Sequence, residues 1–228
     1  MKLESRILYE DNHLLIINKP AGMLVQGDAT GDIPISEWAK TYLKKKYNKP
    51  GNVFIGVVHR LDRPTSGCLI LARTSKALSR MTKIFADRAI KKTYWAIVSP
   101  PPYKNKDSLI HYIEKREDVN KVVCSRAPAP KAKEAVLDYR KIKIVGSQAV
   151  IEVELKTGRK HQIRAQFSSI GSKIVGDLKY GYPYANDDKS ICLHCRSVGF
   201  THPVSKKYLE IRAPIPQISE WDIAQSLQ

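Results

Sequence analysis

Long apolar runs are missing from this chain of 228 residues, and the longest, such as Val53–Val58, is far too short to span a bilayer. No basic amphipathic helix offers an exposed Trp/Leu face, so a membrane surface is excluded as the partner. The opening Met-Lys-Leu-Glu-Ser-Arg carries no apolar leader core, and a cytoplasmic protein is expected. Cysteine is sparse: Cys68, Cys124, Cys192 and Cys195, expected as thiols in a reducing compartment. Cys192-Leu193-His194-Cys195 is half of a zinc site whose other half is absent, so no metal centre is expected and a small apolar role suits these cysteines. The Gly-x-x-x-x-Gly-Lys-Ser/Thr loop of nucleotide triphosphatases is absent, and so is the Gly-x-Ser-x-Gly elbow of serine hydrolases. No carboxylate cluster suits magnesium-dependent phosphoryl chemistry. Acidic residues are scarce too: 22 Asp and Glu against 39 Lys and Arg, a formal net charge of +17. That field draws in a polyanion, RNA or DNA, with binding that weakens steeply in salt.

What is present is a globular pattern, 43% hydrophobic, with no repeat, low-complexity tract or long linker. One domain covering 1–228 is expected. Leu14–Ile17 reads as a strand stopped by Pro20-Ala21-Gly22, and residues 35–46 fit a helix through Ile35, Trp38, Tyr42 and Leu43. Val53–Val58 and Cys68–Ala72 are strand-length runs. Between Cys68–Ala72 and the strand Thr93–Val98, Thr74 or Ser75 caps a helix presenting Leu78, Met81 and Phe85. Residues 114–133 read as a basic excursion between strands, a solvated connection or an arm that grips a partner. Ile142–Val145 and Ala149–Leu155 pair around Gly146-Ser147. Gly158 leads into a helix with Ile163, Phe167 and Ile170 inward and Lys160 and Arg164 on a common face. A last hairpin joins Ser197–Phe200 to Tyr208–Ile211. The fold class that follows is α+β, a mixed, mostly antiparallel sheet flanked by helices.

The most telling segment is His59-Arg60-Leu61-Asp62-Arg63-Pro64-Thr65-Ser66-Gly67. Pro64 and Gly67 force a bend that offers one acid among three basic side chains, and that positive surrounding favours the carboxylate form. Taken alone, it also fits a surface turn whose Asp neutralises its neighbours. With Asp62, Tyr94 and Arg164 lie on different elements, and the three suit a flipped-out base. The aromatic stacks, the carboxylate acts at sugar or base, and the arginine holds the carboxylate ionised. The plainer reading keeps Tyr94 in the core and Arg164 on a phosphate or the surface.

The bend resembles the signature of the RluA-type pseudouridine synthases, and the likeness runs along nearly the whole chain. Ile7-Leu8-Tyr9-Glu10-Asp11 through Asn18-Lys19-Pro20-Ala21-Gly22 is similar to that family's opening. Ala72-Arg73-Thr74, Lys92-Thr93-Tyr94-Trp95-Ala96-Ile97-Val98 and Leu155-Lys156-Thr157-Gly158-Arg159-Lys160-His161-Gln162-Ile163-Arg164 follow in order. Gly176-Asp177-Leu178-Lys179-Tyr180-Gly181, Leu193-His194 and Phe200-Thr201-His202-Pro203 complete it.

The resemblance implies the pseudouridine synthase fold. It also implies isomerisation of uridine to pseudouridine in structured RNA, tRNA or rRNA, with no cofactor, no metal and no obligate protein partner. It makes Asp62 the essential acid and Tyr94 the ring stacked on the target uracil. Arg164 becomes the partner of Asp62, and Arg60 the residue filling the gap left by the flipped nucleotide. Arg159, Lys91 and Lys92 are expected on the RNA, and His59 in a structural hydrogen bond within the bend. Two positions depart from the family pattern: Gln166 stands where many members carry His, and Leu137 where Thr is common. No module of S4-domain size precedes residue 7, so the catalytic domain is expected to find its RNA with its own basic face. Two other classes compete. An RNA-binding or RNA-chaperoning protein without chemistry has no use for an intact Asp62, and zinc-dependent base deamination lacks its His-x-Glu and Pro-Cys-x-x-Cys pairing.

Overall fold

The computed structural model describes residues 3–116 and 120–228. The first two residues of the leader reading and residues 117–119 of the basic excursion therefore lie outside the described residues. In chain order the strands are β1 (Ile7–Glu10), β2 (Leu14–Lys19), β3 (Gly56–Val57), β4 (Ser66–Ala72), β5 (Ile90–Ser99) and β6 (Lys106–Lys115). They continue with β7 (Val122–Ser125), β8 (Lys133–Val145), β9 (Gln148–Leu155), β10 (Lys173–Ile174), β11 (Leu193–Thr201) and β12 (Tyr208–Arg212). The α-helices are α1 (Ile35–Lys46), α2 (Ser75–Ala86) and α3 (Gln162–Ser169). The architecture is the α+β one expected, mostly antiparallel strands with helices packed on them.

The chain divides into two compact units, Met1–Lys91 with Cys195–Pro214, and Lys92–His194 with Ile215–Gln228. In the first, β2 lies between β1 and β4, β3 pairs the end of β4, and β11 is hydrogen-bonded to β12. β2 is apolar from Leu14 to Ile17 because both its faces are buried. Each of those four side chains contributes on the order of 2 kcal/mol. α2 starts where expected, with Thr74 in extended backbone and its Oγ1 accepting from the Ala77 N–H at 3.1 Å. Only Gly56–Val57 of the expected strand 53–58 pairs, at the Leu71–Ala72 end of β4. That register carries Val53–Ile55 past the end of β4 at Ala72, and Phe54 is 44% exposed.

In the second unit the strand order is β5-β9-β8-β6-β7, with β10 on the edge of β5. β8 and β9 turn at Gly146-Ser147 as their alternation requires, and β8 extends back to Lys133. The expected excursion 114–133 is corrected: it contains the end of β6 and all of β7, a hairpin pairing Tyr112 with Ser125 and Lys115 with Val122. Ile113 and Val122 bury against Ala135, Ala165 and Tyr180. β6 hides itself in the sequence because Ile110 points outward, 57% exposed, while His111 points in. The helix after Gly158 is also shorter than its pattern. His161 stands at φ +51°, a left-handed turn that interrupts the helical path, so α3 begins at Gln162 and Lys160 belongs to the loop.

Candidate active site

Asp62 sits half-buried at the start of a tight turn closed by the Thr65 N–H donating to its carbonyl at 3.0 Å. The turn is anchored on both sides. The Gly22 N–H donates to the Arg63 carbonyl at 2.8 Å, and Arg63 Nε returns a bond to the Gly22 carbonyl at 2.9 Å. Arg63 also pairs with Asp32 at 2.5 Å. Beneath the turn lies Lys19, fully buried, its ammonium donating to the carbonyls of Pro20 (2.9 Å), Met23 (2.9 Å) and Arg63 (3.2 Å). Three N–H donors meet three acceptors, so the buried cation is fully satisfied. Burial pushes its pKa down to about 7, against the pull of the Asp62 carboxylate, and the charge of Arg63 lowers it further.

The bend leaves toward β4 through Gly67 at φ +111°. A Cβ there would stand 2.3 Å from the Cys195 carbonyl oxygen, so only glycine lets β4 lie this close to β11. His59 is structural: its Nε2 accepts from the Ile70 N–H at 3.0 Å, and its ring stacks on Phe85 at 5.0 Å. Arg60 is exposed on the same bend.

In the second unit Tyr94 is buried on β5 in register with Val153, and Lys92 is half-buried two residues before it. Lys91, exposed, ends the first unit's share of the same strand. Arg164 is buried on α3, where Nε and one terminal nitrogen grip both carboxylate oxygens of Asp177 at 2.7 and 2.8 Å. A bidentate, charge-assisted pair of this kind fixes a guanidinium's plane and direction. Asp177 also caps the short helix Leu178–Tyr180, and the Tyr180 ring lies 5.0 Å from the Arg164 guanidinium. The Tyr180 hydroxyl is 2.9 Å from His161 Nδ1 and accepts from the Val122 N–H at 3.1 Å.

The loop before α3 is held by Gln162, whose Oε1 accepts from Thr157 Oγ1 (2.8 Å) and the Arg159 N–H (2.9 Å). Arg159 Nε donates to the Glu134 carbonyl at 2.9 Å, and the Lys92 ammonium comes near Gly158, 3.6 Å from where a Cβ would stand. The unusual Gln166 is wholly buried, its amide nitrogen facing the Leu109 and Ala135 carbonyls and His111 Nδ1. The structure thus places Asp62 and Arg60 on one bend of the first unit, and Lys92, Tyr94, Arg159 and Arg164 in the second. Sequence reasoning gave no role to Lys19, Asp177 or Tyr180. The signal available for Asp177 was its place in Gly176-Asp177-Leu178-Lys179-Tyr180-Gly181, one of the segments that carry the family resemblance.

The four cysteines are free thiols; burial pushes Cys192 up to about 12. No helix among the described residues is long and apolar enough to cross a membrane.

Residues 13–169, which include Asp62, Tyr94 and Arg164, match the family model for RNA pseudouridylate synthase. The chain is 35% identical over 224 residues to ribosomal large subunit pseudouridine synthase D of Zymomonas mobilis, covering 92% of this chain and 69% of that protein. It is 30% identical over 233 residues to ribosomal large subunit pseudouridine synthase C of Vibrio vulnificus, covering 100% and 70%. Among solved structures, human RNA pseudouridylate synthase domain containing 4 superposes with a TM-score of 0.79 at 25% identity, covering 94% of this chain and 90% of that one.

Proposed function

Because the chain belongs to the RNA pseudouridylate synthase family, we propose that it isomerises specific uridines in structured RNA, in the cytoplasm, with residues 1–228 acting as one catalytic domain. The reaction breaks the bond from the ribose C1′ to N1 and makes one from C1′ to C5. N1 gains a proton and C5 loses one, so atoms and electrons balance without a co-reactant. Asp62 is the catalytic acid at the reacting sugar or base. Tyr94 stacks on the extruded uracil, and Arg164 keeps Asp62 charged and oriented. Arg60 occupies the space the uridine leaves, while Lys91, Lys92 and Arg159 meet the backbone.

The observation that carries this reading is the order and completeness of the motifs around Asp62, Tyr94 and Arg164, all inside the matched span. The anchoring of the Asp62 turn by Lys19 and Gly22, and of Arg164 by Asp177, supports it, since catalysis by positioned charge needs groups that do not wander. The bacterial relatives are named for the ribosomal large subunit, which favours rRNA over tRNA as the substrate. The test is nucleoside chromatography of unmodified rRNA and tRNA after incubation with the protein. Pseudouridine is expected to accumulate at a few sites in the rRNA pool, and its absence from both pools contradicts the reading.

A further inference from the structure

The chain that follows Asp177 leaves the Arg164 clamp as a loop pinned at both ends. At its start the Tyr182 N–H donates to the Asp177 carbonyl at 3.0 Å, and Ser168 Oγ on α3 donates to the Tyr180 carbonyl at 2.7 Å. At its end Asn186 is buried, and its Nδ2 donates to Ser190 Oγ at 3.3 Å. Between these pins stand Pro183, Tyr184 and Ala185, all exposed. Tyr184 is 73% exposed, and its ring meets that of the half-buried Tyr182 edge to face, centroids 6.4 Å apart at 80°.

A ring held this way is set before anything lands on it. Pro183 fixes the backbone ahead of Tyr184, the edge-to-face contact favours one ring direction, and a tyrosine has few side-chain bonds left to order. Residues 180–186 carry no charge, and the exposed Asp187 and Asp188 follow them, so the tip suits a flat, uncharged ring and not a phosphate. Its tether is the backbone of Asp177, whose carboxylate grips Arg164. RNA with one nucleotide flipped out beside Arg164 offers the neighbouring bases unpaired and unstacked.

We propose that Tyr184, braced by Tyr182, is a stacking platform for an unpaired RNA base that flanks the target uridine. This rests on the RNA isomerase reading and adds the contact that holds the strand on the Arg164 side. Every base has a flat face, so the platform tightens binding to single-stranded RNA without choosing sequence.

The test compares Tyr184→Ser, Tyr184→Phe and Tyr184→Trp with the wild type. Tritium release from C5-labelled, unmodified large-subunit rRNA gives kcat and KM, and an unstructured single-stranded RNA of about 12 nucleotides gives Kd across a salt series. Tyr103→Ser, which removes a fully exposed tyrosine from the loop between β5 and β6, is the control. Tyr184→Ser is expected to raise KM and Kd about tenfold and to hold kcat within about twofold. The slope of log Kd against log salt is expected to stay at the wild-type value, because no charge is lost. The Phe and Trp variants keep a flat ring and are expected to match the wild type, as is the control. Wild-type KM and Kd in Tyr184→Ser overturn the platform and leave the exposed ring to a protein partner. An equal loss in Tyr184→Phe or in Tyr103→Ser overturns it too. If the wild type releases no tritium, the isomerase reading fails, and the Kd values still judge the platform.

Discussion

Lys19 shows how much a single side chain does under the Asp62 turn. Its three carbonyl bonds tie the Pro20–Met23 loop to Arg63, and burial brings its pKa from an ordinary 10.5 to about 7. Below about pH 7 both folded and unfolded chains carry this proton, and Lys19 adds no pH dependence. Above it the folded protein has released a proton that the unfolded chain keeps until near 10.5. The unfolded state then binds more protons, so stability rises with pH across that window. Urea unfolding of wild type against Lys19→Met should therefore show the wild type gaining relative stability between about pH 7.5 and about pH 9.5. A flat difference would mean that the lysine is not desolvated. This residue was not legible in the sequence, because lysine is ordinarily exposed and nothing local announces three converging carbonyls. Asp177 escaped for a similar reason: its partner Arg164 lies 13 residues away, and a bidentate pair is a tertiary fact. Asp62 was legible because its charged neighbours and its bend are all local.

At the scale of elements, what could be read was what local rules determine. The bounds of α1 followed from its apolar spacing and from Asn48, Pro50 and Gly51 after it. The start of α2 followed from Thr74, and the β8–β9 turn from Gly146-Ser147. What failed was what neighbours decide. β3 shrank because its register carries Val53–Ile55 past the end of β4 at Ala72, and β6 was missed because an outward isoleucine and an inward histidine invert its pattern. The first helical turn expected after Gly158 gave way to a left-handed His161 held by Tyr180.

Gly67 tests this scale, since strand packing and backbone conformation both demand glycine there. Gly67→Ala should destabilise the protein by about 3 kcal/mol, from the clash with the Cys195 backbone and the positive φ together. Gly146→Ala, at φ +56° with nothing within 4 Å of its Cβ, should cost about 1 kcal/mol from φ alone. Equal losses in thermal unfolding would show that β4 does not press on β11 as described.

For the molecule as a whole, the charge excess of +17 was the first feature to point to RNA, and it is spread over the whole chain. The two units are each built around antiparallel strands. The first holds the anchored Asp62 turn, and the second holds the Tyr94 strand and the clamped Arg164. Charge alone would serve any RNA-binding protein. The isomerase account requires in addition that one carboxylate be indispensable to turnover and dispensable to binding. The measurement that tests this most directly is tritium release from C5-labelled rRNA by wild type and Asp62→Asn side by side, with RNA affinity measured on both. The account predicts release by the wild type, a loss of at least about a thousandfold in the variant, and affinities within about threefold of each other. Substantial release by Asp62→Asn would contradict it and remove Asp62 from the centre of the chemistry.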